Sequence, residues 1–310
     1  MEYHTLATGL SFPEGPVALD DGTVLVVQIP AGTLDRIDAD GSVTTVAHCG
    51  GGPNGAALGP DGAVWITNNG GCFEFHDVAG LQVPGGVPST WTGGCIQRVD
   101  PATGEVQVVY ESCDGRPLRA PNDLVMDGHG GFWFTDHGVR LERTSDRTGV
   151  FHATCDGTTI REVIHPLDAP NGIGLSPEGD RLYVAETHTG RVWAWDVPEP
   201  GRAVGSGLLA PHGELLAGLP DHQLLDSLAV DGEGNVCVGT LMNGGITVVA
   251  PDGSGVEHLS VDDLLVTNIA FGGPDLRTAY VTASGTGRVL VAEWPRPGLR
   301  LHHADTWPAA

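Results

Sequence analysis

One pattern recurs six times along this chain: a polar residue, a short apolar run, a tight turn, and a second apolar run that ends in polar groups again. The clearest copy opens at Pro121-Asn122-Asp123 and continues through Leu124-Val125-Met126. It turns at Asp127-Gly128 and returns through Phe132-Trp133-Phe134 to Thr135-Asp136. The other copies open at Glu14, Asn54, Asn171, Asp226 and Asn268. From the polar opening to the end of the second run the spacing is 14, 14, 14, 15, 14 and 15 residues. Short runs rich in β-branched and aromatic residues, joined by Asp-Gly or Glu-Gly turns, predict antiparallel strand pairs. A third strand is expected after each pair, near 33–37, 96–99, 149–152, 191–195, 245–249 and 288–294. A weaker fourth usually follows, as at 43–46 and 106–109.

Four antiparallel strands repeated six times, roughly every 50 residues, is the period of a propeller. A single blade cannot cover its own apolar faces, whereas six packed around an axis can. The predicted fold is therefore all-β, a six-bladed β-propeller with four antiparallel strands per blade, forming one domain over residues 1–310. A content of 47 Gly and 22 Pro, with 17% charged residues, suits a turn-rich globular chain. Either residues 3–8 or residues 299–303 can supply the outer strand that closes the last blade.

Composition also removes several chemistries. The chain has no lysine, so Schiff-base and phosphate-loop mechanisms are excluded. A net charge of −24 disfavours nucleic acid and anionic membrane surfaces, and leaves a cation or a small neutral molecule as the easier partner. No apolar run approaches a membrane span, and Met1-Glu2-Tyr3-His4 lacks the features of a signal peptide, so a cytoplasmic location is expected. Six cysteines without metal spacing read as free thiols. Cys72 and Cys95 bracket a long insertion and are the pair to watch for a bridge. Nothing in the sequence bears on oligomeric state.

The repeat places a site. First strands of propeller blades line the axis and run the same way, so Glu14, Asn54, Asn122, Asn171, Asp226 and Asn268 are expected at one mouth. Second strands end there too, adding Gln28, Asn68, Asp136, Glu186 and Thr240, with His137 and His188 close by. Carboxylate and amide oxygens suit a hard cation such as Ca²⁺. No His or Cys set accompanies them, which argues against zinc or copper. Pro-Asn-Gly at 53–55 and 170–172 also reads as a plain turn signal. Residues 70–94 form the longest loop on this face and carry Phe73, Phe75, His76 and Trp91, making a candidate lid.

Several stretches together resemble the gluconolactonase/regucalcin (senescence marker protein) family. They are Phe12-Pro13-Glu14-Gly15-Pro16, Pro121-Asn122-Asp123, Phe134-Thr135-Asp136, Pro170-Asn171-Gly172-Ile173, Leu225-Asp226-Ser227 and Thr267-Asn268-Ile269. The resemblance runs from about residue 10 to 295. It implies a six-bladed propeller with one divalent cation in the axial channel and hydrolysis of sugar-type lactones. Ca²⁺ is the expected ion, with Mg²⁺, Mn²⁺, Zn²⁺ or Fe²⁺ as alternatives. By this resemblance Glu14, Asn171 and Asp226 match metal ligands, and Asn122 matches a position touching metal or substrate. Asp226 is the implied catalytic base. Asn54 and Arg119 are expected to orient the substrate, with Asp136 and His137 as outer contacts. Ser227 and Gln28 stand where the family usually has Gly and Asp. A phosphotriesterase or arylesterase-type propeller hydrolase, or a calcium-binding propeller without catalysis, are the competing readings.

Overall fold

The computed structural model describes residues 1–307. It contains six antiparallel sheets whose innermost strands are Pro13–Ala18, Pro53–Leu58, Pro121–Met126, Pro170–Leu175, Leu224–Val230 and Val266–Gly272. Each innermost strand packs against the next, and Val266–Gly272 packs back on Pro13–Ala18, so the ring is closed. This is the six-bladed β-propeller that the repeat predicts. In blade four the fourth position is shared: Arg202–Val204 and Glu214–Gly218 both pair with Arg191–Glu199.

The N-terminus closes the ring. His4–Ala7 pairs antiparallel with Arg288–Glu293, matching His4 to Val291 and Thr5 to Leu290. Residues 299–303 are not the closing strand; they turn under the propeller instead. Leu299 donates its N–H to the Val230 carbonyl at 3.2 Å. The Arg300 guanidinium grips both oxygens of Asp20 at 3.2 and 2.8 Å. The Thr306 hydroxyl reaches the Gly59 carbonyl at 2.9 Å. The segment thus ties blades five, one and two together from below.

The core lies between blades because each sheet is apolar on both faces. Trp65 of blade two packs on Phe132 and Phe134 of blade three, with the Trp65 and Phe132 ring centroids 5.1 Å apart. Trp133 faces the other way, onto Leu175, Val184 and Trp195 of blade four. Rings of this size bury large apolar areas and dominate core energetics. All six cysteines are free thiols, including Cys72 and Cys95. No helix among the described residues is long and apolar enough to cross a membrane.

Candidate axial site

The opening residues of the inner strands gather at one mouth, and local backbone explains how. In most of these strands the pairing register slips just after the opening residue, marking a bulge. Pro121 pairs with Asp136 but Leu124 with Phe134; Pro170 pairs with Glu186 but Ile173 with Val184. Such bulges re-aim side chains next to sites. Asn54 and Asn171 lie inside strands, so Pro-Asn-Gly is not a turn here. The following glycine allows neighbouring strands to touch. A Cβ at Gly172 would sit 2.6 Å from the Leu228 nitrogen, and one at Gly15 would sit 2.8 Å from both Ala56 N and Asn54 O. Gly15 also has φ +51°, a left-handed conformation that favours glycine. Gly15→Ala is expected to cost roughly 2–3 kcal/mol and to displace Glu14, read by urea unfolding. Wild-type stability in that variant would show that the contact can relax.

Hydroxyls fix these strands across blade boundaries. Thr67 donates to the Asn122 carbonyl at 2.5 Å, Thr135 to the Asn171 carbonyl at 2.6 Å, and Ser284 to the Pro13 carbonyl at 2.5 Å. At these three boundaries one blade thus sets the height of the next blade's inner strand where it opens on the site.

Three carboxyls converge on the axis. Glu14 is 2% exposed; its Oε2 accepts from Gly15 N at 2.7 Å and from Asn268 Nδ2 at 2.9 Å. Burial pushes its pKa up to about 7 against these hydrogen bonds. Asp226, partly exposed, is held well above the ordinary carboxylate range by burial and by the charge of Glu14. The third is Asp123, which the repeat did not single out. Burial, then Glu14, raise it to about 8, although it accepts from Leu124 N at 2.9 Å and Ile173 N at 3.4 Å. A signal for it was present: Asp123 stands where blades one, two and four carry Gly15, Gly55 and Gly172.

The amides complete the set. Asn171 donates to the Thr187 hydroxyl at 3.1 Å and accepts from Ser227 at 3.4 Å. Asn122 is 5% exposed and its Oδ1 is buried with no hydrogen-bond partner. Asn54 is buried at the matching place in blade two. Asn268 differs from the expectation. Val266 pairs with Ala283 and Asn268 with Thr282, as Pro53 pairs with Asn68 and Gly55 with Thr67. Asn268 is thus one residue further along, in register with Asp123, and Thr267 fills the opening position. Matching by residue type rather than by register caused the slip. Asn268 still reaches the site through its bond to Glu14.

The outer residues divide. Asp136 is 1% exposed and its carboxylate accepts the N–H groups of Arg119, Ala120 and Gly138 at 2.7, 2.7 and 3.0 Å, so it braces the loop entering blade three. The Arg119 side chain turns to Asp146 at 2.8 Å and lies over the Trp91 ring at 4.5 Å. Glu186 accepts from Asp168 N, Thr189 and Trp193 at 2.8, 2.6 and 2.9 Å. His137 donates Nδ1–H to the Gly138 carbonyl at 3.0 Å, and burial lowers its pKa. His188 stands beside it with ring centroids 5.6 Å apart, pushed down to about 4 by burial and by His137.

Over this mouth lies the blade-two insertion. It forms a hairpin of Phe75–Val78 and Leu81–Pro84. Phe75 and Val83 pack with Phe12, Ile29, Leu241 and Leu265, residues at the rims of blades one, five and six. Gln82 bonds the Ser11 hydroxyl at 3.3 Å. Phe73 and Trp91 pack on Ala120 and Val139 of blade three. A segment rooted in blade two that touches four other blades crosses the mouth. Below the site, an apolar cavity of about 140 Å³ runs from Asp123 and Asn268 down to Leu299–His302.

The donor chemistry fits a hard divalent cation. An unpartnered buried amide oxygen on Asn122 stands among carboxyls that destabilise one another's charge, and all these donors are oxygens. Among the described residues no three His, Cys, Asp or Glu side chains stand at metal-ligand spacing, so such a set depends on its amides.

Fold and site define a six-bladed propeller with an oxygen-lined axial site beneath the blade-two hairpin. Residues 12–285 match the SMP-30/gluconolactonase/LRE-like region, and the chain belongs to that family. A gluconolactonase of Zymomonas mobilis is 26% identical over 308 residues, spanning 90% of this chain and 78% of its own. A 6-deoxy-6-sulfogluconolactonase of Pseudomonas putida is 27% identical over 275 residues, spanning 87% and 82%. Among solved structures, a gluconolactonase from Xanthomonas campestris superposes with a TM-score of 0.74 at 21% identity, covering 94% of this chain and 89% of that one. A calcium-binding regucalcin from Agrobacterium tumefaciens gives 0.73 at 19%, covering 96% and 97%. At these identities the two structures speak to the fold.

Proposed function

We propose that this protein is a divalent-metal-dependent lactonase, with Glu14, Asn171, Asp226 and Asn122 holding the ion. The observation that carries the reading is the buried, unpartnered Oδ1 of Asn122, on a residue that opens an inner strand of the same ring as Glu14, Asn171 and Asp226. Relatives that are lactonases over nearly the whole chain support it. A cation bound there supplies a Lewis acid that polarises a carbonyl oxygen and stabilises the charge developing on it.

The chain's own groups do the rest. Asp226 accepts the proton of the attacking water. Asn122 and Asn54 orient the ring near the axis. Thr67 and Thr135 act at one remove, by holding the backbone of Asn122 and Asn171. His137 and His188, both with lowered pKa, present uncharged imidazoles at the rim.

Elemental analysis and a pH-stat assay across a panel of γ- and δ-lactones test the reading together. Expected are about one divalent ion per chain, turnover of at least one lactone, loss on chelation and recovery with Ca²⁺. Full activity in chelated, metal-free protein would remove the metal from the proposal. A panel with no turnover would remove the lactonase.

A further inference from the structure

Five rings form a continuous wall around the mouth. Phe12 meets Phe75 at 5.0 Å, Phe75 meets Phe73 at 6.3 Å, Phe73 meets His137 at 6.3 Å, and His137 meets His188 at 5.6 Å between centroids. The wall joins blade one, the lid, blade three and blade four. Phe73, Phe75, His137 and His188 are only partly buried, so the wall keeps accessible surface. Both imidazoles favour the neutral form, so it carries no charge.

Apart from Asn122 and Asn54, which the lactonase reading uses for the ion and the lactone ring, several polar groups near it are engaged. Arg119 gives its Nε–H to Asp146 and lies over Trp91, and Arg140 gives one N–H to Asp168 at 3.3 Å, so the charge of each guanidinium is paired with a carboxylate. Gln28 donates to Asp35 at 2.8 Å and accepts from Ser11 N at 2.6 Å. Asp136 and Glu186 each accept three donors. A polyhydroxylated substrate needs free donors and acceptors, and an anionic one needs a free cation in a chain whose net charge is −24. An alkyl or aryl group needs only rings to pack against.

We propose that Phe73 and Phe75 are specificity-determining residues, and that the site takes a lactone bearing an uncharged apolar substituent packed on the ring wall. This rests on the lactonase reading, and it departs from the sugar-type lactone that the resemblance implies.

The test compares δ-decalactone, unsubstituted δ-valerolactone and glucono-δ-lactone on the metal-loaded protein and on Phe73→Ala, Phe75→Ala and Phe73→Leu. Calorimetric binding of the alkyl-substituted and unsubstituted δ-lactams, which do not turn over, runs alongside. Expected is a wild-type preference for the alkyl lactone of roughly tenfold or more in kcat/KM. The alanine variants should lose that preference through KM while δ-valerolactone is spared, and Phe73→Leu should restore most of it. Higher kcat/KM on glucono-δ-lactone than on δ-decalactone, or equal losses on all substrates in the alanine variants, overturns the proposal. If no lactone turns over, the lactams decide. Alkyl-lactam binding that is lost in Phe73→Ala upholds the wall and rejects only the lactonase; no preference for the alkyl lactam rejects the wall.

Discussion

Asp226→Asn is expected to lower kcat for lactone hydrolysis by about a thousandfold while leaving the fold intact. Positioned general bases contribute roughly 10²–10⁴ in rate, and this residue is also proposed to bind the ion. The substitution keeps side-chain volume and one oxygen donor but removes the negative charge. In metal-free protein that charge is a burden, because burial and Glu14 hold the Asp226 carboxyl well above its ordinary pKa. Removing one of three mutually repelling acids should therefore hold or raise the melting temperature of the chelated variant. Activity and stability are predicted to move apart. A kcat within tenfold of wild type would show that Asp226 is not the base.

The second large effect concerns closure. Deleting residues 1–8 removes the strand that pairs with Arg288–Glu293 and strips Ala7 and Leu6 from an apolar cluster with Val24, Val26, Ile37, Tyr280 and Val289. It also bares a full edge of blade six, which invites pairing with other chains. The loss is on the order of 5 kcal/mol from burial and pairing together, which lowers the melting temperature by roughly 8 °C in a chain of this size. Scanning calorimetry reads the first effect and light scattering the second. Thr5→Pro, which leaves chain length unchanged and removes one backbone N–H, should give a smaller shift in the same direction. An unchanged melting temperature after deletion would mean that the ring holds without its clasp.

The blades were legible because their signal is written six times. Runs such as Val24–Gln28 and Phe132–Asp136 match their strands closely, and Asp-Gly turns fix the pairing between them. What single residues do was harder to read, because that depends on register and on partners from other blades. Asn268 looked like Asn54 and Asn171, yet it lies one place along, and only the pairing of Val266 with Ala283 reveals this. Asp123 is hidden behind Asn122 in the sequence, because what raises its pKa is burial and then Glu14, more than a hundred positions away. Asp136 and Arg119 have the chemistry of substrate contacts; that backbone amides bond the first, and Asp146 and Trp91 engage the second, is set by neighbours distant in sequence. Closure by the N-terminus was undecidable because residues 3–8 and 299–303 are both short, mixed segments of strand length.

The tail that passes beneath the ring has a consequence for traffic. Leu299–His302 line the lower end of the axial cavity, so the tail stands between the axis and solvent on that side. On the proposed lactonase reading, a substrate that enters at the opposite mouth would meet this tail rather than open solvent. On that same reading the product would be an opened hydroxy acid, anionic at neutral pH, leaving a chain whose net charge is −24. Repulsion between like charges would then favour its exit and hinder its return.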